Sequence, residues 1–286
     1  MRAPEHPAVP QRAPRRRFRL AARYGLLTLG AFVVLFPLYI AIVNSLLEPS
    51  QVAHQPPPLV PLHPQWSNYS KAWTSGNLGT YLRNSGIQTA IIVSAQLITS
   101  ILAGYAFAFL EFPFKRTLFV IFLTTLMIPF EVTVTTNLAT VSSLGWFNTF
   151  PGLTVPFLAT GFGIFLMRQA FLQIPRDLWE AAELDGYGHL RFLWKVAIPL
   201  CRPAIAALGV FSFLASWNQY LWPLLVTGNN NSVRTVQIGL KQLLDTQLDQ
   251  IPVSLAGTVI AVVPLLILMV VFQKQLVRSL TAGAVK

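Results

Sequence analysis

This sequence of 286 residues contains six long runs of apolar residues. They cover residues 24–47, 85–110, 117–141, 150–172, 203–226 and 252–273. Each run can cross a bilayer, because about 20 apolar residues in a helix span the hydrocarbon core. Backbone amides must be paired in lipid, and the runs lack the alternation of a β-barrel strand, so they should be helical. Four prolines inside the runs should kink their helices: Pro37, Pro129, Pro156 and Pro223. The sequence therefore predicts an all-α membrane protein with six transmembrane helices.

The composition excludes a soluble fold. Only 11% of the residues are charged and 53% are hydrophobic, whereas soluble domains carry about 25% charged residues. The first run is longer than the apolar core of a signal peptide and lacks a small-residue cleavage site, so it should be an uncleaved span. We expect a basic N-terminal segment over residues 1–23, a six-helix membrane domain over 24–273 and a C-terminal tail over 274–286.

The placement of the basic residues explains the net charge of +11. If the N-terminus is cytoplasmic, the outer segments hold only four of the 21 lysines and arginines, namely Lys71, Arg83, Arg234 and Lys241. The remainder lie on inner segments, as the positive-inside rule requires. Basic residues in these positions lie beside anionic lipid headgroups. We therefore expect contact with membrane lipid, no binding of nucleic acid, and two cytoplasmic termini.

Metal-binding and catalytic residue types are sparse. The single cysteine, Cys201, can form no internal disulfide. The histidines fit no zinc spacing and are expected to be solvated loop residues: His6, His54, His63 and His189. No carboxylate, histidine or cysteine constellation suggests a membrane enzyme. We expect neither an enzyme nor a metal or other cofactor held by this chain.

The longest inner loop, residues 168–202, is predicted to be structured. Asp177 precedes Glu180 by three residues, which is the spacing of a capping box. A short helix over 178–185 should stop at Gly186, because glycine suits a left-handed C-terminal turn. A second helix over 189–196 should end before Pro199. The predicted helix, glycine bend and helix would lie across the inner face and dock on a cytoplasmic partner.

The same loop carries a recognisable pattern. Glutamate and two alanines are followed after three residues by glycine, and after nine more by a hydrophobic run with proline: Glu180-Ala181-Ala182, Gly186 and Val196-Ala197-Ile198-Pro199. This closely resembles the "EAA" loop of binding-protein-dependent ABC importer permeases, with Val196 and Ile198 as conservative departures. Four further segments resemble the maltose and glycerol-phosphate type of these permeases: the last seven residues, residues 217–225 on the fifth run, Phe36-Pro37-Leu38-Tyr39 and Pro129-Phe130-Glu131-Val132.

The resemblance implies a function in import. In that family the loop is the coupling helix, which docks on an ATPase subunit, so the implied coupling residues are Glu180, Ala181, Ala182, Asp185, Gly186 and Pro199. This chain has no phosphate-binding loop of the Walker type, so ATP and Mg²⁺ should be bound by the partner ATPase. The resemblance further implies a second permease, an ATPase dimer, an extracytoplasmic binding protein and location in the bacterial inner membrane. It favours glycerol-3-phosphate or glycerophosphodiesters, such as glycerophosphocholine, as the small-molecule substrate, with another sugar or oligosaccharide as the alternative.

Several residues inside the runs are candidates for contact with substrate. Glu131 lies about 14 residues past Thr117, and therefore roughly 21 Å into a straight span. An intramembrane carboxylate is costly and suggests function. It could meet a cation such as choline, pair with the second permease, or face water near the outer rim. Amides and aromatic rings on the fifth run would suit a polyol pathway: Trp217, Asn218, Gln219 and Tyr220. The alternatives are interfacial aromatic rings and interhelical hydrogen bonds.

Two other readings stay open at this level. Arg83 and Arg234 could meet a phosphate at the outer mouth or be ordinary loop charges. An ion-coupled secondary transporter is a rival from a different class, and it would need broken helices and inverted repeats around a midplane site.

Overall fold

The computed structural model describes residues 13–74, 76–228, 232–246 and 251–282. Regular structure in this part of the chain is entirely helical. The helices are α1 (Ala13–Ser45), α2 (Pro49–Ala53), α3 (Ser67–Thr74), α4 (Leu78–Phe109), α5 (Lys115–Thr125), α6 (Phe130–Ser143), α7 (Phe150–Thr154), α8 (Gly161–Phe171), α9 (Arg176–Leu184), α10 (His189–Phe192), α11 (Ile198–Leu200), α12 (Arg202–Trp217), α13 (Leu221–Thr227), α14 (Val236–Thr246) and α15 (Ile251–Ala282).

Within the described residues, three unbroken helices are long and apolar enough to cross a membrane: Ala22–Ser45, Leu78–Phe109 and Ile251–Lys274. Three pairs of helices pass the same test together but are bent, by 96° between α5 and α6, 45° between α7 and α8, and 80° between the 189–200 segment and α12. Counting each bent pair as one span gives six. The all-α architecture was predicted correctly, but half of its spans are bent.

Prolines mark two of the bends. Pro129 directly precedes α6 with an extended backbone, as expected of a residue that has no amide hydrogen and disfavours helix before it. Pro156 lies in the 3₁₀ turn Val155–Phe157 between α7 and α8. The expected kink does not interrupt α1 at Pro37, which lies inside one continuous helix. Pro223 lies in the first turn of α13, after a break at residues 218–220 that the sequence did not predict.

The fourth helix supplies hydrogen bonds to the breaks in its neighbours. Gln96 donates from Nε2 to the carbonyl of Phe157 at 2.8 Å, and the Thr99 hydroxyl donates to the carbonyl of Leu158 at 3.1 Å. Asn84 donates to the carbonyls of residues 232 and 234 at 2.8 and 2.9 Å. A carbonyl freed at a break has no water to bond within lipid, so a nearby side chain must replace the lost helical partner. A polar stripe along α4 meets this need.

Close packing joins α4 to α8. A Cβ atom on Gly104 would lie 2.7 Å from Cβ of Met167 and 2.9 Å from the amide nitrogen of Arg168. Small residues allow helices in membranes to approach until their backbones touch. Gly104 therefore sets the distance between the second and fourth spans near one end of the bundle.

Hydrogen bonds and apolar packing hold several of the connections between the helices. Asn68 donates to the carbonyls of Ser45 and Leu47, and the amide of Asn148 donates to the carbonyl of Val226 at 2.9 Å. Lys115 bonds the carbonyl of Leu110, and residues 172–201 pack on the end of α4. Among the described residues, these contacts join the predicted outer segments to the ends of the first and fifth runs, and the predicted inner loop 168–202 to the end of α4.

The predicted terminal segments merge with the spans. The first helix begins at Ala13, inside the basic segment 1–23, and α15 continues through Ala282, well into the predicted tail 274–286. Residues 1–12 and 283–286 lie outside the described part.

Candidate functional site: an exposed helix–bend–helix element and a break in the fifth span

The helix–bend–helix element that the sequence predicts to dock on an ATPase is called the coupling element below; it covers residues 176–200 and begins with α9. The predicted helix is present but starts earlier: its N-cap is Pro175, and Asp177 lies in the first turn without a side-chain capping bond. The predicted capping box is therefore wrong. Proline suits this position because the first helical amides have no partner within the helix. An acidic residue in the first turn still complements the positive end of the helix dipole.

The bend at Gly186 is the one that the sequence predicts. Gly186 has a φ of 76°, in the left-handed region. The Tyr187 amide donates to the carbonyl of Ala182 at 2.8 Å, and the Gly186 amide donates to that of Glu183 at 2.9 Å. These two bonds form a Schellman motif, which pairs the last carbonyls of a helix. Asp185 occupies the C-cap.

The second arm of the element runs further than predicted. It starts at His189, as expected, but continues through a π turn, Leu193–Ala197, into α11, so it does not end before Pro199. In a π turn each backbone hydrogen bond joins residues five apart rather than four apart, so the helix is wider there. The arm ends beyond Pro199 at Cys201, where the chain turns by 80° into α12.

The inward face of the element rests on an aromatic cluster, defined as Tyr105, Phe109, Phe171, Trp179, His189 and Phe192. The Trp179 and His189 rings are stacked, with centroids 4.3 Å apart and planes inclined by 3°. The Tyr105 hydroxyl lies 3.0 Å from Nδ1 of His189. His189 is exposed, as expected of a solvated histidine, but it lies in α10 rather than in a loop and its ring packs on Trp179.

The outward face of the element is free of such packing. Glu180, Ala181, Asp185 and Gly186 are exposed, whereas Ala182 is buried against the core. Three large apolar side chains point away from the bundle: Leu184, Leu190 and Trp194, which are 90%, 70% and 66% exposed. No acidic residue of α9 forms an ion pair among the described residues. This face offers apolar side chains among unpaired carboxylates, a combination suited to a partner with a groove and basic residues.

The other predicted site residues lie at the break in the fifth span. Asn218 caps α12, is exposed, and donates to the carbonyl of Leu214 at 2.9 Å. The oxygen of Gln219 accepts a hydrogen bond from Gln88 on α4 at 2.6 Å. Tyr220 is 37% exposed. The break therefore presents two polar side chains and one aromatic ring, of which Asn218 and Tyr220 reach the molecular surface.

Trp217 takes a different position. Its ring is 5% exposed, stacks on Phe213 at 5.5 Å, and donates from Nε1 to the carbonyl of Ala261 at 3.3 Å. This packing joins α12 to α15. It gives Trp217 a structural role, and its contact with substrate stays a prediction.

Glu131 lies in the first turn of α6, immediately after the 96° bend. The expected depth of about 21 Å for Glu131 assumed a straight helix from Thr117. That estimate is wrong, because the helix bends just before Glu131. The side chain is exposed and has no hydrogen-bond or ion-pair partner among the described residues. Its neighbour Phe130 packs on Trp222 at 5.9 Å, which holds the start of α6 against α13.

Of the two arginines, Arg83 is exposed and Arg234 is 8% exposed. Arg234 donates from Nε to the carbonyl of Gly228 at 3.1 Å, after the last turn of α13. This contact makes Arg234 a structural residue of the connection after α13 rather than a plain loop charge.

The sequence analysis missed the polar stripe of α4. Asn84, Gln88 and Gln96 follow helical spacing inside an apolar stretch, and polar residues at that spacing in a span indicate a face turned towards the protein. That signal was present in the sequence. Their partners were not predictable, since they lie between 61 and 150 residues away.

The candidate sites are therefore an exposed surface on the coupling element and polar side chains at the break in the fifth span. Within the described residues, no group of three or more histidine, cysteine, aspartate or glutamate side chains is placed to hold a metal ion. An all-helical bundle with up to six spans, counting each bent pair of helices as one, is typical of a polytopic membrane protein. Residues 96–282 match the family model of the "binding-protein-dependent transport system inner membrane component". The chain belongs to this family, and it is an inner-membrane transport permease rather than an enzyme.

Relatives with assigned names agree with this membership. The chain is 34% identical over 266 residues to the "sn-glycerol-3-phosphate transport system permease protein UgpE" of Yersinia pestis, covering 89% of this chain and 93% of the relative. Proteins of the same name from Agrobacterium fabrum and Rhizobium meliloti are each 34% identical over 264 residues, with the same coverage. Identity at this level extends across the membrane domain.

A solved structure shares the fold. It is a bacterial ABC transporter involved in the import of the acidic polysaccharide alginate, with a TM-score of 0.79 and 23% identity, covering 93% of this chain and 99% of that chain. Broken helices, which an ion-coupled transporter would need, are present in this chain. Helix geometry alone therefore does not separate the two classes of transporter, and the family membership does.

Proposed function

We propose that this permease forms half of the translocation pathway of an ABC importer for sn-glycerol-3-phosphate or glycerophosphodiesters. A second permease would form the other half, an ATPase dimer would bind ATP and Mg²⁺, and an extracytoplasmic binding protein would deliver the substrate. The observation that carries the coupling part is the coupling element, with its Schellman bend at Gly186 and its exposed outward face.

The coupling mechanism follows from the shape of the element. The bend lets α9 lie across the end of the bundle, with Ala182 buried and Glu180, Ala181 and Asp185 exposed. A small residue such as Ala181 allows a partner to approach the helix closely, and Glu180 can pair with a basic residue there. An ATPase that opens and closes with nucleotide would bias two arrangements of the permease through this contact.

The proposed orientation places this element in the cytoplasm, where the ATPase works. Both termini are then cytoplasmic, because six spans return the chain to its starting side. The support is the excess of lysine and arginine on the segments that the sequence predicts to be inner.

The proposed substrate rests on the relatives that carry the glycerol-3-phosphate name. The chemistry of the break in the fifth span is compatible with it, because Asn218 and Tyr220 offer hydrogen bonds to hydroxyl groups. Glu131 would repel a phosphate but attract a cation, so it favours a zwitterionic diester over a plain phosphate. We assign substrate contact to five residues: Glu131, Trp217, Asn218, Gln219 and Tyr220.

The test is transport by the complete importer in proteoliposomes. Uptake of labelled sn-glycerol-3-phosphate, glycerophosphocholine and maltose is measured with ATP inside and loaded binding protein outside. Uptake of either phosphate compound supports the proposal. Uptake of maltose alone would overturn the substrate and leave the family membership intact.

The coupling part is tested in the same vesicles with Glu180→Lys. This variant should assemble but lose the ATPase activity stimulated by substrate-loaded binding protein. Glu111→Lys makes the same charge change on the other inner connection and serves as the control. Equal stimulated activity in the two variants would contradict the coupling role of Glu180.

A further inference from the structure

A contact on the inward face of the coupling element joins it to a span. Tyr105 on α4 is 4% exposed, and its hydroxyl lies 3.0 Å from Nδ1 of His189, the first residue of α10. One face of the His189 imidazole is covered by the Trp179 ring of α9, with ring centroids 4.3 Å apart. One span and both arms of the coupling element therefore meet at a single imidazole ring.

The surrounding aromatic cluster is continuous. Phe192 contacts Trp179 edge-on at 5.0 Å and Phe109 at 5.4 Å. Phe109 stacks on Tyr105 at 5.0 Å. A close-packed interior has low compressibility and transmits displacement, and aromatic pairs prefer particular geometries. Ring packing alone still allows sliding, whereas a hydrogen bond fixes distance and angle together.

We propose that Tyr105 and His189 are positioning residues that carry the movement of the coupling element to α4. This inference rests on the proposed coupling function. The outward face of α9 would follow the ATPase, and the Tyr105–His189 bond would hold α4 in register with it. A neutral imidazole Nδ1 and a hydroxyl can form this bond with either atom as donor.

The fourth helix extends this link to the substrate pathway. Tyr105 and Gln88 lie on the same unbroken helix, about 26 Å apart at 1.5 Å per residue. Gln88 bonds Gln219 at the break in the fifth span. A rigid helix joining the two contacts would move the break when the coupling element moves. The route therefore consists of two hydrogen bonds and one helix.

The test uses changes that remove one atom or one bond. Tyr105→Phe deletes only the hydroxyl, and His189→Phe keeps a ring to stack on Trp179 but loses Nδ1. Tyr24→Phe is the matched control, because Tyr24 is exposed on α1 and its hydroxyl has no partner among the described residues. The complete importer is reconstituted with binding protein and sn-glycerol-3-phosphate, and ATP hydrolysed per substrate transported is measured at equal amounts of assembled complex.

We expect Tyr105→Phe and His189→Phe each to raise that ratio about two- to tenfold, the range that corresponds to the net contribution of one hydrogen bond. The double variant should show no further increase, since the second change removes nothing more. A ratio for Tyr105→Phe equal to that of Tyr24→Phe would overturn the proposal, and so would additive effects in the double variant. If Tyr105→Phe does not assemble, the ratio for His189→Phe decides, with a normal value overturning the proposal.

Gly186→Asp separates this inference from the function on which it rests. If Gly186→Asp uncouples transport while Tyr105→Phe does not, the Tyr105–His189 link is wrong and the coupling element stands. If Gly186→Asp also couples normally, the proposed function of the element fails and the link fails with it.

Discussion

Gln88 on α4 donates a hydrogen bond from Nε2 to the side-chain oxygen of Gln219, with 2.6 Å between the two atoms. Gln88 is 1% exposed, and Gln219 lies between α12 and α13, where the helical hydrogen bonds of the fifth span are interrupted. Such a break inside a membrane is stable only if neighbouring groups replace the lost partners. The pair therefore fixes the break to a helix that is itself unbroken.

Gln88→Leu should destabilise the assembled importer by about 1 kcal/mol, because it leaves the half-buried Gln219 oxygen without its donor. The measurement is the melting midpoint of the purified complex in detergent. Ser94→Ala is the control, since Ser94 is exposed on the same helix and bonds only its own backbone. The double variant with Gln219→Leu should recover part of the loss, because replacing both partners removes the unpaired group. A double variant less stable than Gln88→Leu would show that the two amides do not act as a pair.

Local patterns in the sequence predicted local structure well. The apolar runs indicated the spans, and Gly186 indicated the left-handed turn that the structure contains. The helix before it begins at Arg176 rather than after Asp177. Pro175 and Asp177 are both suitable N-terminal residues for this helix, and the sequence alone does not determine which of them serves as the N-cap.

Contacts between segments that are distant in the sequence could not be predicted. The break at residues 218–220 and the direction taken by α6 depend on partners supplied by α4 and α13. His189 looks like a loop histidine until Gly186 folds α10 back and brings its ring onto Trp179. The coupling residues follow from a contiguous motif, whereas the pathway residues depend on packing that no single segment encodes.

Gly186→Val should uncouple transport from ATP hydrolysis, because a β-branched residue is strained at a φ of 76°. The matched control is Gly188→Val, two residues on, where φ is −84° and an added Cβ meets nothing within 4 Å. Substrate-stimulated ATPase activity of the reconstituted importer should fall at least several-fold in the first variant and stay near normal in the second. Equal activities would mean that the bend does not matter for coupling.

Single cysteines test the proposed topology in intact cells. Ser67→Cys on the predicted outer side should react with an impermeant thiol reagent, and Glu111→Cys on the predicted inner side should react only after the cells are broken. The native Cys201 precedes the fifth span and is 6% exposed. This burial keeps the reagent away from its thiol. The wild-type protein gives the background, and labelling of Glu111→Cys without labelling of Ser67→Cys in intact cells would reverse the orientation.

Glu131→Gln tests the substrate. The Glu131 carboxylate is exposed at the start of α6 and has no partner among the described residues, so it is available to a cation in the pathway. Glycerophosphocholine brings such a cation and sn-glycerol-3-phosphate does not. Removing the charge should therefore reduce import of the choline diester about two- to tenfold, the range for a charge-assisted contact of moderate exposure. Import of sn-glycerol-3-phosphate should change little or rise, because a carboxylate repels phosphate. Glu111→Gln, which removes a carboxylate paired with Lys115 at the inner end, controls for the loss of charge itself. Both uptakes are measured at matched expression, and an equal loss of both substrates would reduce Glu131 to a residue that shapes the bend between α5 and α6.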